Sequence, residues 1–253
     1  DDNLIERARE RLCSEHGEPF VAIALHENDS RARRITAYLD LLHNLIQLQI
    51  ERVRAAAFEV GSEIVRYFEL LPSSPLRELY ESMKATVDQE GRRKLQEKLR
   101  EFVKAGPIDV NIMTKLDREH DRRGQLLPEY GSDALSALRG FMNSRVNGSV
   151  VLSAGMNRRL FAYMGQFKDL LPDKCGDLQK RIILKVADYR SAFLQGKMLA
   201  QLGLHVSEFR VESGLNCGGH AFGAKGMLMG PILDEFKRQK ESLVNSLRSI
   251  REK

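Results

Sequence analysis

The sequence predicts an α/β protein made of parallel βα units, and three features point to it. Short, continuously apolar runs alternate with amphipathic stretches through the second half of the chain, as strands covered by helices should. One such run, His205–Val211, empties into a loop, Glu212–Phe222, that holds paired glycines, a thiol and an imidazole before another helical stretch. Between about residues 30 and 105, by contrast, apolar positions recur every three or four residues, which sets a helical region apart from the alternating one.

Taken in order, Leu4, Ile5, Ala8 and Leu12 mark a first helix, and Pro19–His26 has the short, continuously apolar character of a buried strand. From Ser30 onward, Leu39, Leu42, Ile46, Ile50, Val53, Ala57, Val60, Ile64, Phe68 and Leu71 keep helical spacing, which predicts one helix of about 40 residues. Pro72 and Pro75 end it, since neither has an amide to continue the ladder. A second helical region follows through Leu76, Tyr80, Leu95 and Val103. Residues 30–105 thus form a helical hairpin inserted between residues 1–29, an N-terminal helix and strand of the α/β domain, and a barrel-like domain over 106–253. The hairpin must cover its apolar stripe with its own arm, the following domain or a second subunit, so a homo-oligomer is expected.

In the last region Pro107–Met113, Ser149–Gly155, Arg181–Asp188 and Val206–Val211 are predicted strands. A helix follows each: one capped by Ser132, one through Leu160 and Met164, one through Ala192 and Leu199, and one from Met227. Four βα units imply a parallel sheet with right-handed crossovers. Counting Pro19–His26 gives five strands where a closed barrel has eight, so the expectation is a TIM-like barrel that is incomplete in this chain.

Composition narrows the function classes. Lys plus Arg exceed Asp plus Glu by only five, and the basic clusters, such as Arg31–Arg34 and Arg158–Arg159, lack interleaved aromatics, so a nucleic-acid partner is not implied. Three cysteines without a Cys-x-x-Cys pair argue for a reducing compartment and against zinc. No apolar run approaches about 18 residues and no leader pattern opens the chain, so a soluble cytoplasmic protein without a membrane partner is expected. The first residue is Asp, which suggests a removed start or a piece of something longer.

In parallel α/β architecture the carboxyl ends of neighbouring strands converge on one site. Here those ends supply Asn111 and Thr114, then Ser153, Ala154 and Gly155, then Lys185 and Asp188, and finally Glu212 with the Cys217–His220 loop. Gly218 and Gly219 allow close backbone approach, and His220 supplies a group for proton transfer. An amide, a cation, glycines and an imidazole suit a planar polar heterocycle and a small-molecule substrate. Other roles stay open. Cys217 beside His220 fits a Cys–His acyl-transfer enzyme. Lys185 fits either a Schiff-base lysine or an ion pair with Glu212 or Asp188, and His220 fits a plain turn histidine bonded to a carbonyl. The non-enzymatic alternative is an assembly or regulatory protein whose helical hairpin is an interaction surface.

The order Val110-Asn111, Ser153-Ala154-Gly155 and Glu212 followed by Cys217-Gly218-Gly219-His220 resembles the nitronate monooxygenase group of FMN-dependent (β/α)8-barrel oxidoreductases. Lys185 resembles the strand lysine that related flavin barrels of the glutamate synthase type aim at the flavin. The resemblance covers about residues 106–237. It implies FMN as cofactor, with Asn111, Ala154, Gly155, Lys185, Gly218 and Gly219 lining it. It also implies His220 as the base that removes an acidic C–H or N–H proton, with Cys217 and Lys185 as further catalytic candidates. Three departures stand out: the loop is longer than the family's E-A-G-G-H, the helical hairpin at 30–104 has no counterpart in the simple enzymes and would be an insertion, and nothing after Gly230 supplies the family's glycine-rich phosphate loop.

Overall fold

A computed structural model describes residues 2–113, 117–120, 124–153, 155–173, 176–212 and 229–252. The chain divides into two compact units, Asp1–Asp40 with Pro107–Lys253, and Leu41–Gly106. The division falls inside a helix, whereas the sequence pattern placed the start of the helical region at residue 30.

The first unit is α/β. Its helices α1 (Asp2–His16) and the opening of α2 (Ser30–Ala55) precede four strands, β1 (Val110–Ile112), β2 (Ser149–Leu152), β3 (Arg181–Val186) and β4 (Val206–Val211). Helices α6 (Asp133–Met142), α7 (Arg158–Met164) and α8 (Tyr189–Gln201) connect these strands, and α9 (Met229–Arg251) follows β4. All neighbouring strands are parallel and the order across the sheet is β1-β2-β3-β4. Helix starts carry side-chain caps, Ser132 among them as the sequence indicates. Ser132 accepts from the Leu135 amide and Asn157 from Leu160, while Asp188 and Ser191 form a reciprocal capping box.

Strand alternation decides what each face does. Ile112, Val150, Leu152, Ile182, Leu184 and Val186 enter the main core with Leu135, Leu138 and Phe141 of α6, Leu160 and Phe161 of α7, and Leu199 of α8. The intervening residues Asn111, Val151, Ile183, Lys185 and Arg210 lie on the second face. That face is curled. Arg210 of β4 bonds Asp109, just before β1, at 2.8 Å. By row count in a flat sheet these residues would be about 19 Å apart, three strand spacings across and four residues along. The line between them crosses over Val151 and Ile183, which are 2% and 3% exposed.

Three expectations are corrected. Pro19–His26 is not a strand: no ladder pairs it, and Val21 and Leu25 are 76% and 55% exposed. Side chains hold its backbone instead, with Arg9 donating to the Val21 carbonyl, Arg34 to the Ile23 carbonyl, and the Ile23 amide donating to Glu6. A short apolar run has no periodicity to separate a strand from an extended tether. The strands among the described residues are therefore four and not five. The expected 40-residue helix also stops, at Ala55. Gly61 at φ +81° turns the chain, and Ser62 caps a new helix, α3 (Glu63–Glu69), by accepting from the Val65 amide. Apolar spacing continued across this break and concealed it.

In the second unit, α4 (Pro75–Ala85) and α5 (Gln89–Phe102) complete a helical core with the far part of α2 and α3. Phe68 stacks between Phe58 and Tyr80, at ring-centroid distances of 6.1 and 5.4 Å, and Ile64, Met83 and Leu99 are fully buried around them. Arg54 closes one end by donating to the Val103 carbonyl at 2.8 Å.

Two predictions test this architecture. Gly140 of α6 faces α2 so closely that an added Cβ would meet Ile35 Cβ at 2.7 Å and the Ala32 carbonyl at 2.8 Å. Glycine to alanine inside a helix ordinarily stabilises by about 0.5–1 kcal/mol. Here Gly140→Ala is expected to destabilise by about 1–3 kcal/mol in urea unfolding, because both contacts are stiff. The second concerns Glu6. Burial pushes its carboxyl up, but hydrogen bonds from Arg9 and the Ile23 amide, with the charges of Arg9 and Arg34, outweigh it and hold the pKa below its ordinary value near 4.5. The stabilisation it contributes is complete above that value and is lost as pH falls through the lower folded-state value. Glu6→Gln should flatten this acid limb in unfolding curves recorded at successive pH values, and an unchanged slope would contradict the assignment.

Candidate functional site at the carboxyl ends of the strands

Lys185 is the penultimate residue of β3 and faces away from the helical core, opposite Leu184 and Val186. Its ammonium lies 2.8 Å from the carboxylate of Glu212, the residue after β4, and both side chains are half-buried, at 22% and 23% exposure. The backbone sets this meeting: the Glu212 amide donates to the Val186 carbonyl at 2.9 Å, which extends the β3–β4 register by one residue. Of the two ion-pair partners that the sequence offered, the structure takes Glu212. Asp188 is committed elsewhere, its carboxylate accepting from the Ser191 amide at 2.7 Å to cap α8.

The other described candidates sit around the same strand ends. Asn111 is exposed on the second face of β1 and pairs in register with Val151, in the row just below Ser153 and Lys185. By row count its Cα is about 12 Å from that of Lys185, two strands across and two residues along. Ser153 extends the sheet, its amide and hydroxyl both donating to the Ile112 carbonyl at 3.2 and 3.3 Å. Gly155 has φ +138°, a conformation that side chains rarely adopt, so a glycine is needed where the chain leaves β2. Thr114, Ala154, Cys217, Gly218, Gly219 and His220 lie outside the described residues. The amide and the ammonium therefore share a face.

Below this rim the second face stays charged. Arg210 donates to Glu208 at 2.6 Å as well as to Asp109, and these two hydrogen bonds, Glu208 first, raise its already high pKa. Among the described residues, no cluster of three or more His, Cys, Asp or Glu side chains fits a metal ion. Lys180 is a different kind of lysine. It is 4% exposed, and its ammonium donates to the Phe141 and Ser144 carbonyls at 2.6 and 2.7 Å, which caps the end of α6. Burial lowers its pKa to about 8. It sits on the helix side of the sheet and serves the fold.

Asp117, which periodicity could not single out, organises two of the loops at this end. Its carboxylate accepts from the Ser132 hydroxyl at 3.0 Å and the Ala134 amide at 2.9 Å, both at the start of α6, and from the Asn157 side chain at 3.2 Å, the cap of α7. One side chain thus ties the β1–α6 loop to the β2–α7 loop. The only sequence cue was an acidic residue shortly after a strand end.

A separate cleft of about 650 Å3 opens on the outer side of α6. Arg31, Arg118, Ser136, Arg139, Tyr130 and Tyr163 are among its walls. Arg139 is fully engaged: it pairs with Asp29 and donates to the Tyr130 carbonyl at 2.9 Å and the Tyr163 hydroxyl at 3.3 Å. The hydrogen bond with Asp29 raises its pKa most. Tyr130 stacks on Tyr163 with ring centroids 4.8 Å apart. The cleft is built from segments far apart in the chain, so no local pattern announced it.

No protein-family model matches the chain, and comparisons with curated proteins and with solved structures likewise return no match. No helix among the described residues is long and apolar enough to cross a membrane.

Replacing Asp117 by Ala leaves three donors without their shared acceptor. A loss of about 1–3 kcal/mol is expected. Amide exchange at Ala134 should accelerate with it, measured by hydrogen–deuterium exchange, while exchange in α8 stays unchanged.

Proposed function

We propose that this chain is an FMN-dependent oxidoreductase of the (β/α)8-barrel kind, acting on a small molecule that bears an acidic C–H or N–H proton. The observation that carries the reading is the half-buried Lys185–Glu212 pair on the second face, at the strand end that leads into the Gly218-Gly219-His220 loop. In this reading β1–β4 are consecutive strands of the barrel, and the curl that joins Asp109 to Arg210 supports it.

The groups present fit a flavin in kind. The Lys185 ammonium would hold the electron-rich edge of the ring, and the Asn111 amide would hydrogen-bond a heteroatom. Ala154, Gly155, Gly218 and Gly219 would leave space for the ring's plane. The flavin, when bound, supplies the two-electron acceptor that no protein side chain provides. Glu212 would fix Lys185 in position and lower the cost of keeping its charge in a partly dry site. His220 would take the substrate's acidic proton, a role that needs a base titrating near neutrality.

The test is optical. The full chain should take up added FMN and become yellow. Lys185→Met should weaken FMN binding by about tenfold or more, equivalent to about 1.4 kcal/mol. His220→Ala should keep the colour while turnover of an acidic-carbon substrate, such as a nitroalkane, is lost. A chain that stays colourless with excess FMN overturns the reading.

A further inference from the structure

The cleft beside α6 carries two groups without a partner among the described residues and a third that is only loosely held. Ser136 is 4% exposed and lines the cleft, and its hydroxyl makes no hydrogen bond among the described residues. This hydroxyl is not sealed in the interior; it opens onto the cleft and presents a donor and an acceptor to whatever fills it. Glu129, also in the wall, has a carboxylate with no partner among the described residues. Among the described residues Arg118, half-exposed, makes a single long contact, 3.4 Å to Asp133, a carboxylate that Arg31 already engages. The volume, about 650 Å3, is within the range of small-molecule sites.

The balance of charge says what would fit. Four carboxylates, from Asp2, Glu27, Asp29 and Glu129, face three guanidinium groups, from Arg31, Arg118 and Arg139. Arg33 and Arg34, from outside the lining, already neutralise Glu27 and Asp2, and Asp133 pairs with Arg31 and Arg118, so the charges balance and the cleft has no net positive field to draw in a polyanion such as a phosphate ester. A loosely held cation, and an anion with no partner among the described residues, instead complement in one cleft a ligand that carries both signs. Tyr130, stacked on Tyr163 and itself 39% exposed, adds an aromatic surface for a flat side chain.

We propose that this cleft is a binding site for a small zwitterion of the amino-acid class. Arg118 holds its carboxylate, Glu129 its ammonium, and Ser136 a polar atom between them. The site is on the helix side of the sheet, whereas Lys185 faces the other way, so the proposal does not rest on the flavin reading.

Calorimetric titration of the flavin-free full chain tests it, with L-phenylalanine as probe. The analogues are 3-phenylpropionate, which lacks the ammonium, phenethylamine, which lacks the carboxylate, and adenosine monophosphate. L-Phenylalanine should bind at one site per chain, and each analogue at least about tenfold more weakly. Arg118→Gln and Glu129→Gln, both changes of exposed side chains, should each cost about tenfold in L-phenylalanine affinity with the circular dichroism spectrum unchanged. Lys185→Met should leave that affinity unaltered, which separates this site from the proposed flavin site. The proposal is overturned if L-phenylalanine gives no saturable heat, if a singly charged analogue or adenosine monophosphate binds as tightly, or if both charge-removing variants bind normally.

Discussion

Leu184 and Lys185 are consecutive residues of one strand, so extended backbone sends them to opposite faces of the sheet. That alternation, locked by the parallel register of β2, β3 and β4, is the constraint from which the rest of the α/β unit follows. Leu184 joins the fully buried core under the helices, a burial that stabilises by about 1.5–3 kcal/mol. Lys185 is thereby placed with Asn111, Arg210 and Glu212 on the face the helices do not cover. A slip of one residue would bury the ammonium among leucines and expose the leucine in its place. The apolar side of the sheet therefore holds the polar side in position.

Curvature then gathers what alternation has separated. Asp109, at the entry to β1, and Arg210 of β4 meet across the two central strands of the described sheet, over Val151 and Ile183. A sheet bent this far brings its strand ends together. Asp117 ties the first two loops together through the caps of α6 and α7. The Lys185–Glu212 pair does the same for the last two strands. Rigid elements thus fix the geometry, while the chemistry proposed for the site resides in the loops that follow them.

Legibility in the sequence tracked the range of the interactions involved. β2, β3 and β4 were readable because β-branched and leucine runs bounded by polar turns leave little choice, and the cap at Ser132 is a local signal of the next helix. Pro19–His26 misled because its fixing partners, Glu6, Arg9 and Arg34, come from two helices and nothing in the run itself names them. The break after Ala55 was hidden because Ala57, Val60 and Ile64 keep helical spacing through a turn that depends on Gly61. At the site, Lys185 and Glu212 were both visible as strand-end residues, yet their pairing required the β3–β4 register. Asp117 and the Ser136 cleft were invisible, since Asp117's partners lie up to 40 residues away, the cleft is lined by residues from Asp2 to Tyr163, and only folding joins them.

The most direct measurement of the alternation and register is zero-length carbodiimide coupling, which joins an amine to a carboxylate only where the two already touch. After mild treatment and proteolysis, mass spectrometry should find Lys185 joined to Glu212 by an isopeptide bond, and that product should vanish in Glu212→Gln. Recovery of Lys185 coupled instead to Asp188, or of an uncoupled Lys185 where other ion pairs of the chain have reacted, would contradict the account.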